Sequence, residues 1–99
     1  MSNRRPLTED EITAGLARLP GWQRQGPAIT RTADAADFPS AIRVVVAVAE
    51  AAEEMDHHPD IDIRWRTLTF ALSTHSAGGV TDLDLQLAAR IDAAFNQQT

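Results

Sequence analysis

The sequence predicts an α+β fold in the order αββαββα, a four-stranded antiparallel sheet with three helices on one face. Three observations predict it. Three segments carry apolar residues at helical spacing. Four short segments between them alternate apolar and polar residues with the period of a strand. The strand-like segments come in two adjacent pairs, each joined by a few turn residues. Adjacent antiparallel strands need only short turns, and an amphipathic helix must bury its stripe, so helices gather on one sheet face. A chain of 99 residues suits one core, expected over residues 8–99 behind a loose N-terminal arm at 1–7.

The first helix begins at Thr8. Thr8-Glu9-Asp10-Glu11 has the form of a capping box, with Thr8 as N-cap and Glu11 reaching back. Ile12, Leu16 and Leu19 then form one apolar stripe, and Pro20-Gly21 ends the helix. Trp22–Gln25 and Ala28–Ala33 read as strands around Gly26-Pro27. Asp37 is a suitable N-cap for the second helix, with Pro39 tolerated in its first turn. Phe38, Ile42, Val45, Ala49 and Ala52 step by 4, 3, 4, 3 and are expected to be its buried face. Pro59 disfavours helical geometry at His58 and is expected to help stop this helix. Ile61–Trp65 and Leu68–Leu72 read as a second hairpin. Gly78-Gly79 makes a turn, and Thr81 caps a last helix with the stripe Leu83, Leu87, Ile91, Phe95.

Composition excludes several functions. There is no cysteine, hence no disulfide, thiolate metal site or cysteine nucleophile. No apolar run approaches the ~20 residues of a membrane span, and no apolar segment follows Arg4-Arg5 as it would in a secretory signal. A cytoplasmic protein without membrane contact is expected. Net charge is −5, and the basic residues, all arginine, are scattered. Nucleic-acid binders gather positive charge against phosphates, so direct nucleic-acid binding is not expected.

The chemistry-bearing residues are the histidines. His57, His58 and His75 fall within 19 residues. If Ile61, Ile63 and Trp65 share the core face with Leu68, Phe70 and Leu72, paired residues have an odd index sum. A two-residue turn at Arg66-Thr67 gives a sum of 133 and sets His75 opposite His58. A slip of two keeps the faces and still leaves His75 beside the His57-His58 pair. Imidazole titrates near pH ~6.5 and can give or take a proton at little cost. Three together suit a reaction in which one proton arrives and another leaves. Glu53, one helical turn before His57, and Asp84, in the first turn of the last helix, are placed to fix tautomers. A His-His dipeptide alone is commonly surface decoration; Asp84 already has a reason to sit near a helix N-terminus. Trp22, Trp65 and Phe70 read first as core. A three-histidine zinc site is the rival, disfavoured because neighbouring side chains project differently and no carboxylate ligand is fixed.

Glu53, His57-His58-Pro59, Trp65, His75 and Asp84, at these spacings, resemble the signature of the pterin-4a-carbinolamine dehydratase family. Leu72-Ser73-Thr74-His75, Gly79-Val80-Thr81 and Leu19-Pro20-Gly21-Trp22 agree with it, and the resemblance runs over about residues 8–97. The family dehydrates 4a-hydroxytetrahydropterins, formed by aromatic amino-acid hydroxylases, to quinonoid dihydropterins. The resemblance implies the same αββαββα order, no metal or redox cofactor, and a homodimer or homotetramer. It implies His57, His58 and His75 as acid/base groups, and Glu53, Asp84, Pro59, Trp22 and Trp65 as substrate-binding or orienting residues. Many members carry Trp where this chain has Ile61, and Tyr where it has Trp65, so aromatic contact at the pocket rim is expected to differ. Two other readings accompany the resemblance: a non-catalytic protein-binding or dimerisation module, and an auxiliary role in other pterin-cofactor metabolism.

Overall fold

The computed structural model describes residues 5–98. Residues 1–4 of the expected arm and Thr99 lie outside the described residues. Helix α1 spans Glu9–Ala17 and opens as expected: the Thr8 hydroxyl accepts from the Glu11 N–H, and the Glu11 carboxylate accepts from the Thr8 N–H. Arg5 pairs with the same carboxylate at 2.9 Å. Its hydrogen bond, with that of the Thr8 backbone, lowers the Glu11 carboxyl to about 2. Just before the cap, the Leu7 N–H donates to the Val80 carbonyl at 2.9 Å and the Leu7 side chain packs on the core.

Strands β1 (Gln23–Gln25) and β2 (Ala28–Asp34) form the first hairpin, turning at Gly26, whose φ of 59° is left-handed. Strands β3 (Asp60–Arg64) and β4 (Thr67–Leu72) form the second. β2 pairs antiparallel with β4, which joins the hairpins into one sheet of order β1-β2-β4-β3. Helices α2 (Phe38–Met55) and α3 (Asp82–Gln98) lie with α1 against one face. The core gathers Ile29, Leu68, Phe70 and Leu72 from the sheet with Ile12, Val44, Val48, Leu87, Ile91 and Phe95 from the helices. Complete burial of a side chain such as Phe70, whose ring meets that of Phe95 edge-on, stabilises by about 1.5–3 kcal/mol. The opposite sheet face is polar, with Thr32 and Thr69 paired through their hydroxyls at 2.9 Å.

Three expectations are corrected. The buried face of α2 is Ala41, Val44, Val48, Ala51 and Ala52. Of the expected stripe only Ala52 is buried; Phe38, Ile42 and Ala49 are exposed and Val45 is half-buried. Both stripes are apolar with 3–4 spacing, and the one richer in alanine allows α2 to approach α3 closely. The second correction is the turn of the β3–β4 hairpin. It is Trp65-Arg66, with Trp65 at φ 56°, so the pairing sum is 131 (Ile61 opposite Phe70). The third is Trp65 as a core residue. It is 69% exposed, with the Arg66 guanidinium 4.9 Å above its ring. β3 is an edge strand, and the helices leave Ile63 41% exposed as well.

Candidate active site

The end of α2 builds one wall of the site. Asp56 adopts a left-handed conformation (φ 49°), and the His57 N–H reaches back to the Ala52 carbonyl at 3.0 Å. This closure reverses the chain. The helix therefore stops at Asp56, not through Pro59, which lies half-buried on the approach to β3. The reversal turns His57 into the interior and leaves His58 facing out: their side chains are 6% and 56% exposed.

The other wall follows β4. Thr74 and Gly79 bridge the base of a short loop whose tip is a single 3₁₀ turn, His75–Ala77. Gly78, at φ 74°, closes that turn, and its N–H donates to the His75 carbonyl. A cavity of 260 Å³ lies between the walls, lined by Asp56, His57, His58, Ser73, Thr74, His75 and Ser76. The expected meeting of the three histidines is therefore observed. The slip of two survived because it preserved the faces of the hairpin.

Behind the cavity Asp84 is fully buried. Its Oδ1 lies 2.5 Å from His57 Nε2, and its Oδ2 accepts from the Thr81 N–H at 2.8 Å and the Thr74 hydroxyl at 2.9 Å. Every carboxylate oxygen has a partner, as a buried charge requires. Glu53 holds His58 at 2.5 Å, at the exposed rim.

The remaining residues expected at the site lie elsewhere. Trp22 is in the core, its Nε1–H donating to Asp92 Oδ1 at 2.9 Å. Asp92 also pairs with Arg31, whose guanidinium stacks 4.9 Å over the Phe95 ring. Trp65 stands at the far end of β3 from the histidines, roughly 17 Å along a strand of this length. Neither tryptophan lines the cavity. Two residues that the sequence reading did not single out for the site, Thr74 and Thr81, are buried in it. A signal existed for Thr81: Thr81-x-x-Asp84 repeats the capping pattern of Thr8-x-x-Glu11. Among the described residues no group of three His, Asp or Glu side chains is placed to hold a metal ion. No described helix is long and apolar enough to cross a membrane.

The arrangement can move protons: one imidazole braced from behind by a buried carboxylate, one held at the rim, and a third on a closed loop, all on one small cavity.

Comparison with known proteins agrees. Residues 5–94 match the family described as Pterin 4 alpha carbinolamine dehydratase. A protein of Nocardia farcinica with the provisional name pterin-4-alpha-carbinolamine dehydratase is 58% identical, over 87% of this chain and 90% of its own. One of Mycobacteroides abscessus with the same provisional name is 58% identical, over 92% and 97%. The crystal structure of a transcriptional coactivator/pterin dehydratase from Brucella melitensis superposes with a TM-score of 0.90 at 36% identity, over 92% of this chain and 99% of that one. A pterin dehydratase-like protein identified as a RuBisCO assembly factor shares the fold at 20% identity, with a TM-score of 0.61 over 74% of this chain and 84% of that one. The chain belongs to the pterin-4a-carbinolamine dehydratase family.

Proposed function

We propose that the protein is a 4a-hydroxytetrahydropterin dehydratase that works by histidine acid/base catalysis without a metal or redox cofactor. The single observation that carries this reading is the convergence of His57, His58 and His75 on one cavity. The reaction breaks the C4a–O bond and the N5–H bond and forms a C4a=N5 double bond, with the hydroxyl leaving as water. One group must give a proton to the departing oxygen and another must take the N5 proton. Imidazoles lining one cavity of 260 Å³ can do both on a bound bicyclic substrate. The role that fits is recycling the pterin of an aromatic amino-acid hydroxylase. The test is the rate at which the purified protein converts 4a-hydroxytetrahydropterin to the quinonoid dihydropterin. A rate equal to the uncatalysed one removes the reading.

The reading extends to assembly from identical subunits. Phe38, Ile42 and Val46 form an exposed apolar stripe on α2, continuing into a groove lined by Val46, Ala49, Glu50, Glu53 and Glu54. Arg43 lies toward one end of this face and the glutamates toward the other. A second copy laid antiparallel sets the arginine end of one stripe against the glutamate end of the other, the self-complementarity that a two-fold interface requires. The same stripe favours a second reading, a protein-binding module. The two are told apart by the dehydratase assay, because a scaffold has no use for the histidine cavity.

A further inference from the structure

Thr74 and Thr81 have no part in the chemistry proposed above, yet they are 2% and 0% exposed and both bond into the base of the site. Tracing each hydrogen fixes the direction of the chain. The Leu83 N–H donates to Thr81 Oγ1 at 3.3 Å. The Thr81 and Thr74 hydroxyls share a hydrogen bond of 2.8 Å, and the Thr74 hydroxyl donates to Asp84 Oδ2 at 2.9 Å. A hydroxyl has one hydrogen. Thr74 spends its own on Asp84, so the hydrogen between the threonines belongs to Thr81. The Thr81 N–H also donates to Oδ2, so that oxygen receives two hydrogens. A carboxylate only accepts, so Oδ1 takes the hydrogen of His57 Nε2. The donations from Leu83 N–H to Thr81, from Thr81 to Thr74 and from Thr74 to Asp84 run one way and end on the carboxylate, which receives the His57 Nε2 hydrogen from the other side.

The consequence falls on the other ring nitrogen. Among the described residues His57 Nδ1 has no hydrogen-bond partner, and it is not sealed from solvent. Nδ1 is therefore reached by solvent, on a residue that lines the cavity. With Nε2 carrying the hydrogen, Nδ1 presents its lone pair there. We propose that Thr74, supported by Thr81, is a positioning residue that holds Asp84 and thereby keeps His57 in the Nε2–H tautomer, so that Nδ1 is the proton acceptor of the site. This rests on the dehydratase reading for its use in turnover, but the tautomer is a property of the folded protein alone.

Three proteins test it: wild type, Thr74→Val, which exchanges the hydroxyl for a methyl group, and Thr74→Ser, which keeps the hydroxyl. Nitrogen-15 spectra of the histidine rings are recorded at a pH where His57 is neutral, and turnover is measured beside them. The expected wild-type spectrum shows His57 with Nε2 protonated and Nδ1 bare. Thr74→Val is expected to mix the two tautomers and to lose about tenfold to a hundredfold in kcat at unchanged KM, the scale seen for groups that orient metal-bound histidines from behind. Thr74→Ser is expected to restore both. A wild-type His57 with its hydrogen on Nδ1 overturns the proposal without any variant. So does a folded Thr74→Val protein with one Nε2–H tautomer. If wild type shows no turnover, the dehydratase reading fails, and the spectra still decide the tautomer claim.

Discussion

His57 and Asp84 meet at 2.5 Å although 27 positions separate them, and Asp84 reaches that contact while its second oxygen closes the N-terminus of α3. One carboxylate thus ties the start of a helix to the end of another through a catalytic candidate. Asp84→Asn replaces an acceptor by a donor in a fully buried network and leaves at least one hydrogen bond unmade. A loss of about 1–3 kcal/mol of stability is expected, together with a loss of turnover. Urea unfolding and the dehydratase assay check the two effects separately.

Metal chemistry makes a different prediction from proton transfer. Exhaustive chelation is expected to leave turnover unchanged. Zinc bound in stoichiometric amount by the histidines, with activity lost on its removal and regained on its return, would refute the acid/base account.

Assembly is checked at Val46, 55% exposed on the outer face of α2. Val46→Glu adds a charge to an already acidic groove at a position outside the core. Light scattering is expected to show an oligomer for wild type and a smaller species for the variant, with unchanged circular dichroism. A wild-type monomer at micromolar concentration counts against self-association.

Acid behaviour follows from the helix caps. Glu11 is lowered to about 2 from an ordinary value of 4.5 by its hydrogen bonds to Arg5 and Thr8. Asp37, N-cap of α2, is lowered by its hydrogen bonds to Ser40. A depressed carboxyl adds stability that is fully present above the unfolded value and lost as pH falls through the folded one. For Glu11 the loss runs from about 4.5 down to about 2. Glu11→Gln is expected to melt below wild type at neutral pH, with the gap closing across that window. Thermal unfolding followed at a series of pH values measures it.

Most of the fold was legible because its elements announce themselves in short range. Thr8 and Glu11 form the cap their spacing implies, and Leu83, Leu87, Ile91 and Phe95 are buried as their period requires. What failed depended on tertiary choices. Two apolar stripes on α2 have equal periodicity, and only packing decides that Val44 and Val48 go inside and Ile42 outside. The turn moved by one residue and the pairing sum by two because Trp65 takes a left-handed conformation that nothing in its residue type suggests. The histidine cluster tolerated that slip. The buried threonines were not legible as site residues, since Thr81-x-x-Asp84 reads the same whether its helix end faces water or the core.

The account stands on turnover of the His75→Ala protein measured beside its circular dichroism spectrum. His75 lies exposed on a closed loop, so its loss opens no core cavity, and the fold is expected to survive. A positioned acid or base is worth ~10²–10⁴ in rate. Because the elimination also proceeds unaided in water, the loss is expected at the low end of that range. The His57→Ala/His75→Ala double variant is expected to lose little more than either single one, since groups acting as a unit do not add. The predicted result is a folded His75→Ala protein with most of its turnover gone. A folded His75→Ala protein turning over 4a-hydroxytetrahydropterin at the wild-type rate would contradict the mechanism.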